Sequence, residues 1–160
     1  MRADMEIPFS LPLDGDGFLR RACPNCSGEF AWHSGPANAE AENQPSASQY
    51  YCPYCGAPAD VDDWMTEEQK EHIQAIGMNA VMNEVNEQFD DLFRPMNSKF
   101  LKVTRTGSFN VPDAPLPLTE RDDSEASTVV LSPCHSWEPV KVHNTAAPLH
   151  CLICGAAYSL

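Results

Sequence analysis

Cys23-Pro24-Asn25-Cys26 and its return, Cys52-Pro53-Tyr54-Cys55-Gly56, decide how this chain folds. Each places two thiols on either side of a two-residue turn, a spacing at which both can point at one tetrahedral metal ion without strain. Gly56 permits a positive φ, which turns backbone N–H groups towards the sulfurs and softens their charge. A further pair, Cys151-Leu152-Ile153-Cys154-Gly155, repeats the pattern, so six of the seven cysteines lie in Cys-x-x-Cys pairs. The first two pairs together offer four soft donors, Cys23, Cys26, Cys52 and Cys55, and such a set points to zinc.

The third pair has an incomplete partner. Cys134-His135 supplies one thiolate and one adjacent imidazole, while the position three after Cys134, where a second knuckle cysteine would stand, is Trp137. His135 ranks first as the fourth donor because it stays at the knuckle end. His143 lies beyond Val140-Lys141-Val142 near the expected tip of a hairpin and ranks second; His150, which precedes Cys151 and tends to face away from it, ranks third. The second set is therefore Cys134, His135, Cys151 and Cys154, a Cys3His combination suited to a structural ion. Two Zn2+ ions are expected. The competing reading is a metal-free ribbon with a free thiol at Cys134.

Disulfides are the ordinary reading of a cysteine-rich chain. Here the residues near the N-terminus lack the basic start, apolar middle and small-residue cleavage site of a signal peptide, and the paired spacing fits metal better than bridges. No apolar run approaches the length of a membrane span. The expectation is a soluble, cytoplasmic protein with no membrane contact. In 160 residues, 14 prolines and two polar tracts leave a small core, which metal would partly replace. The net charge of −13, from 10 basic and 23 acidic side chains, repels phosphate backbones and favours a partner that is basic, or neutral and apolar.

The expected fold class is α+β, with two zinc-ribbon β-hairpin modules, one central amphipathic helix and a further β-hairpin. Residues 1–19 read as an N-terminal arm, with an alternation from Ile7 to Leu13 that suits an edge strand or extended segment, followed by a turn at Asp14-Gly15-Asp16-Gly17. Residues 20–61 form the first ribbon; Phe30-Ala31-Trp32 is the strand leaving the first knuckle, Tyr50-Tyr51 the strand returning to the second, and 34–49 a mobile loop between them. Residues 62–111 carry a helix to about 93 and a basic hairpin. Thr66 and Gln69 fit a capping box, and Ile73, Ile76, Ala80, Val81, Val85, Phe89, Leu92 and Phe93 form a stripe expected to be core, packed on neighbouring strands or on a twin helix in a homodimer. Arg94, Lys99, Lys102 and Arg105 surround strand-like Phe100–Arg105 and Phe109-Asn110-Val111. Residues 112–127 read as a linker and 128–160 as the second, divergent ribbon, with Val140–Val142 and Pro148–His150 as its hairpin strands.

The two quoted stretches resemble a zinc ribbon, the rubredoxin-like double knuckle of general transcription factors, RNA polymerase subunits and many small bacterial proteins. The resemblance covers residues 20–58 closely and 128–160 loosely, with the departure at Trp137. It implies the fold and the metal, and carries Cys23, Cys26, Cys52 and Cys55 over as ligands, but it is nearly silent on activity.

Catalysis is not expected. Three thiolates donate charge to an ion and blunt its Lewis acidity, Glu138 is the only nearby carboxylate, and deaminase, phosphate-loop, nucleophile-elbow and metalloprotease motifs are absent. The function expected is a non-enzymatic zinc-binding module for protein–protein interaction. The alternatives are a regulator that binds single-stranded nucleic acid through residues 94–109, and a redox sensor whose thiols oxidise readily.

Overall fold

The computed structural model describes residues 6–94, 106–107, 109–111, 113–119, 126–146 and 148–160. Among these, eight short strands and one long helix make an α+β protein. The chain divides into two compact units, one of Leu11–Gln69 with Leu118–Leu160 and the other of Met1–Ser10 with Lys70–Pro117.

Both cysteine clusters lie in the first of these units. β1 (Phe18–Ala22) pairs antiparallel with β2 (Glu29–His33) around the Cys23–Cys26 turn, and β3 (Gln49–Tyr51) with β4 (Pro58–Asp60) around Cys52–Cys55. β5 (Thr128–Val130) and β6 (Val140–Val142) flank Cys134-His135, and β7 (Leu149–His150) pairs with β8 (Ala157–Tyr158) around Cys151–Cys154. This corrects the pairing expected from the sequence, in which 30–32 faced 50–51 and 140–142 faced 148–150. At each Cys-x-x-Cys pair the turn itself reverses the chain, so the residues on its two sides become neighbours and long-range pairing across the loop is not needed.

The halves then join. β2 pairs with β6, with Phe30 opposite Val142 and Trp32 opposite Val140, giving a four-stranded sheet in the order β1-β2-β6-β5. Residues 18–60 and 128–158 thus repeat one strand order and meet through equivalent strands, as two copies related by an approximate two-fold axis would. Alternation gives the sheet two different faces. Phe30, Trp32, Val130, Val140 and Val142 are buried on one, with Trp64 fully buried against them; its ring meets those of Phe30 and Trp32 edge-on at 5.7 and 6.0 Å. Burying each such side chain contributes about 1.5–3 kcal/mol. The opposite row carries Arg20, Ala31 and Lys141. There the buried Lys141 ammonium is held by the Asp14 and Asp16 carboxylates and lies 4.6 Å from the centre of the Phe18 ring.

The Asp14–Gly17 segment is the turn that its sequence announces. Asp14 Oδ1 accepts N–H bonds from Asp16 and Phe18, both at 2.9 Å. Residues 6–13, in contrast, enter no strand. Pro8 and Pro12 lack the N–H groups that an edge ladder needs.

The helix α1 spans Glu67–Phe93, starting five residues after position 62, where the helical segment is expected to open from the sequence. Val61–Asp63 makes a single 3-10 turn instead, because Trp64 is drawn into the core and its carbonyl accepts the Ala22 N–H at 2.9 Å. The start is a reciprocal capping box. Thr66 N–H donates to Gln69 Oε1 at 3.0 Å, Gln69 N–H donates to Thr66 Oγ1 at 3.2 Å, and the Gln69 amide also donates to the Arg20 carbonyl of β1 at 3.0 Å. Farther along, the stripe is not buried within the chain. Gln69 is the one buried residue of α1, and Met78, Val81, Phe89 and Leu92 are exposed. In this second unit the Asn86 side-chain amide both donates to and accepts from the Phe109 backbone, with the Phe89 and Phe109 rings 5.5 Å apart. Of the basic hairpin, residues 95–105 and 108 lie outside the described residues, and Phe109–Val111 is not a strand.

Thr66→Ala and Gln69→Ala are each expected to lower the unfolding free energy of the metal-loaded chain by about 1–2 kcal/mol. The double variant should fall short of the sum, since the two bonds are reciprocal; urea denaturation followed by circular dichroism measures all three.

Candidate metal centres

Three knuckles in this protein have the same backbone. In each, the residue after the second cysteine has a positive φ, 59° at Ser27, 69° at Gly56 and 72° at Gly155, and donates its N–H to the carbonyl of the first cysteine at 2.9 Å. The first cysteine in turn donates its own N–H to the carbonyl one position further on, Gly28, Ala57 or Ala156, at 2.9–3.0 Å. Such a turn exposes a row of N–H groups to the sulfur inside it. Asn25 and Cys26 N–H groups point at Cys23 Sγ from 3.4 and 3.5 Å, and the Tyr54 N–H points at Cys52 Sγ from 3.4 Å. Ser27 takes up the left-handed conformation without being glycine, and nothing in its neighbouring residues announces it.

The turns bring together the two groups of donors. Cys23, Cys26, Cys52 and Cys55 lie with their sulfurs within 4.8 Å of one another, as do the donor atoms of Cys134, His135, Cys151 and Cys154. All seven cysteines are free thiols. In the first group Cys23 and Cys55 sulfurs are 3.8 Å apart and Cys26 and Cys52 sulfurs 3.7 Å apart. A tetrahedron with metal–sulfur bonds of about 2.3 Å has edges of about 3.8 Å, whereas a disulfide would hold its sulfurs at about 2.05 Å. In the second group the Cys134 and Cys154 sulfurs are 3.5 Å apart, and His135 Nδ1 is 3.3 Å from Cys151 Sγ. The dimensions of both groups fit one tetrahedral ion each.

Among the three histidines considered for the fourth position, His135 is the one brought to the thiols. His143 Nδ1 is 3.4 Å from the Ala126 carbonyl, and the His150 ring lies against Gly56. Two residues that sequence reasoning did not assign to the site hold His135 in place. Trp137 stands edge-on to its imidazole, ring centres 4.8 Å apart, so the residue that replaces the missing cysteine positions the ligand that replaces its sulfur. Ser132, buried, accepts the His135 N–H at 3.2 Å and lies 3.2 Å from Cys151 Sγ. The short run Ser132-Pro133-Cys134-His135 is the only hint of this in the sequence.

Crowding thiols splits their acidities. Burial, together with hydrogen bonding and repulsion from Cys23, drives Cys52 far up; at Cys55 burial is outweighed by the Ala57 N–H, the Asn25 amide and the neighbouring thiols, which bring it down to about 7. In the second group burial and the thiols of Cys154 and Cys151 push Cys134 up to about 11. Cys151, where burial also opposes ionisation, is lowered to about 7 by the Ser132 hydroxyl and the N–H groups of Cys154 and Ile153. Each cluster therefore favours ionisation at some sulfurs and resists it at others, until a cation neutralises them.

The two centres are laced back to back. Tyr51 N–H donates to the Leu152 carbonyl and His150 N–H to the Pro53 carbonyl, both at 2.8 Å, so each strand entering a knuckle is bonded to the middle of the other knuckle. The side chains repeat the exchange. A Cβ on Gly155 would lie 2.5 Å from the Tyr51 ring, and one on Gly56 would lie 2.7 Å from His150. These glycines are required twice over, for their φ and for the ring above them.

Gly155→Ala is accordingly expected to cost about 2 kcal/mol or more of stability, from the left-handed backbone and the displaced Tyr51 ring, as read by thermal or urea unfolding. Cys154→Ser, which removes one donor from the second centre, should also speed metal release from the intact first centre at least about fivefold, because the knuckles share their hydrogen bonds. Competition with a chromogenic chelator measures that release. Equal rates would show that the lacing transmits nothing. Compared with family models, characterised proteins and solved structures, the chain finds no match, which leaves the chemistry of its two donor clusters as the pointer to what it does.

Proposed function

We propose that this protein is a non-enzymatic zinc-binding module that presents a metal-stapled surface to a protein partner. The observation that carries this reading is that each cluster has a full complement of four side-chain donors at tetrahedral spacing. Four protein ligands leave an ion no position for water or substrate, which is the arrangement of structural rather than catalytic zinc. Thiolate-rich donors suit zinc over harder cations, and the hydrogen bonds from backbone and Ser132 to the sulfurs are the usual second layer of such sites. Cys23, Cys26, Cys52 and Cys55 hold the first ion; Cys134, His135, Cys151 and Cys154 hold the second. The charge of −13 becomes more negative with every thiolate in excess of the ion's own charge, which favours a basic partner and disfavours nucleic acid.

Native mass spectrometry is expected to find two zinc ions per chain. A strong chelator under reducing conditions should abolish cooperative melting, and a stripped chain that still melts cooperatively would end the structural-zinc reading. The interaction role is tested by affinity purification from a cell extract with zinc-loaded and chelated protein as bait: a defined partner retained only by the zinc-loaded form is expected. Retention on single-stranded DNA that falls with salt and is lost in a Lys99→Ala, Lys102→Ala, Arg105→Ala variant would replace the protein partner by nucleic acid.

A further inference from the structure

A cleft of about 880 Å3 opens beside the second centre, between the loop that joins β2 to β3 and the segment following His135. The Asn38 amide donates to the Trp137 carbonyl at 3.3 Å and ties the loop across it. Trp32, Tyr50 and Trp137 line the cleft, with the Trp32 and Tyr50 rings 4.8 Å apart. Three charged side chains line it, Arg21, Glu42 and Glu138, so carboxylates outnumber the guanidinium. The Arg21 guanidinium lies 4.5 Å over the Trp32 ring, and its Nε is buried without a hydrogen-bond partner. Glu138 is half-buried, and among the described residues its carboxylate has no hydrogen bond or ion pair.

A partly desolvated carboxylate and a guanidinium, held in one cleft and not paired with each other, both gain from a ligand that supplies an opposite charge or an acceptor. The carboxylate calls for a cation, and aromatic rings beside it strengthen that preference through their negative faces. The guanidinium calls for an acceptor, which a peptide carbonyl provides. A nucleic acid strand would satisfy Arg21 but would bring phosphate against Glu138 and against the charge of the whole chain.

We infer that this cleft binds an extended basic segment of the partner protein, with a Lys or Arg side chain against Glu138 and Trp137 and a backbone carbonyl accepting from Arg21. The inference rests on the interaction-module reading and names the chemistry of its partner. His33 lines the same cleft.

The test is calorimetric titration of the full, zinc-loaded chain with an acetylated, amidated Ala-Lys-Ala-Lys-Ala peptide, with tryptophan emission as a second signal. Binding is expected, with a change in emission. Glu138→Gln should weaken it about tenfold, the worth of one charge-assisted contact. Asp113→Asn, which removes the same charge from an exposed position outside the cleft, should change it less than about twofold. Variants are compared at equal zinc content. Equal weakening by both substitutions, no effect of Glu138→Gln, tighter binding of Ala-Glu-Ala-Glu-Ala, or preference for a single-stranded oligonucleotide overturns the cleft assignment. A defined partner that zinc-loaded Glu138→Gln bait retains as well as wild type also overturns the cleft, while leaving the interaction module standing.

Discussion

Four sulfurs held within bonding distance of a common point repel one another as soon as they ionise, and everything else in the first unit is arranged around that repulsion. The knuckle backbones aim N–H dipoles at the sulfurs, and the strands on either side of each turn convert a local reversal into a hairpin. Dipoles alone leave the cluster divided between acidic and resistant thiols, as the opposed shifts of Cys52 and Cys55 show. A divalent cation removes the conflict, and in the proposed function its binding energy becomes folding energy for segments with little apolar surface of their own.

The apolar core supplements this bond. It is gathered around Trp64, which stands just before the helix and seals the junction of Phe30, Trp32 and the strands of the second half. The reverse side of the sheet is held differently, by Lys141 between two aspartates and by Arg20 with Glu68 at 3.0 Å. Partly exposed pairs of this kind contribute modestly to stability, but they fix register, since a one-residue slip would carry Lys141 to the Trp64 side of the sheet.

Much of the candidate site was legible because the physics behind it is local. Cys-x-x-Cys turns, the glycines at 56 and 155, the Thr66–Gln69 cap and the Asp14 turn each act over three to six residues, and all have the geometry that their spacing implies. The proximity of His135 follows from the same short-range logic. What escaped was non-local. Nothing in Phe30-Ala31-Trp32 says that its second neighbour is Val140-Lys141-Val142, and two ribbons read as separate modules share one four-stranded sheet. The role of Trp64, two residues before the capping box, was not legible either. The helix stripe differs: its period was sound, yet periodicity records which side is apolar and not whether the same chain buries it.

The sheet that unites the halves also sets how the chain must fold. Each knuckle hairpin closes between residues only a few positions apart, whereas β2 and β6 meet across more than a hundred, with Lys70–Pro117 of the second unit intervening in the sequence. Contacts of such sequence separation are slow to form, because the entropy of closing the intervening chain is lost before the strands reward it. During synthesis the N-terminal half would therefore emerge with its four cysteines complete but with the β2 edge uncovered until the last segment arrives. For that interval the nascent chain is a template for the wrong β-strand, and the acidic residues crowded through the intervening region act as the charge that keeps copies apart.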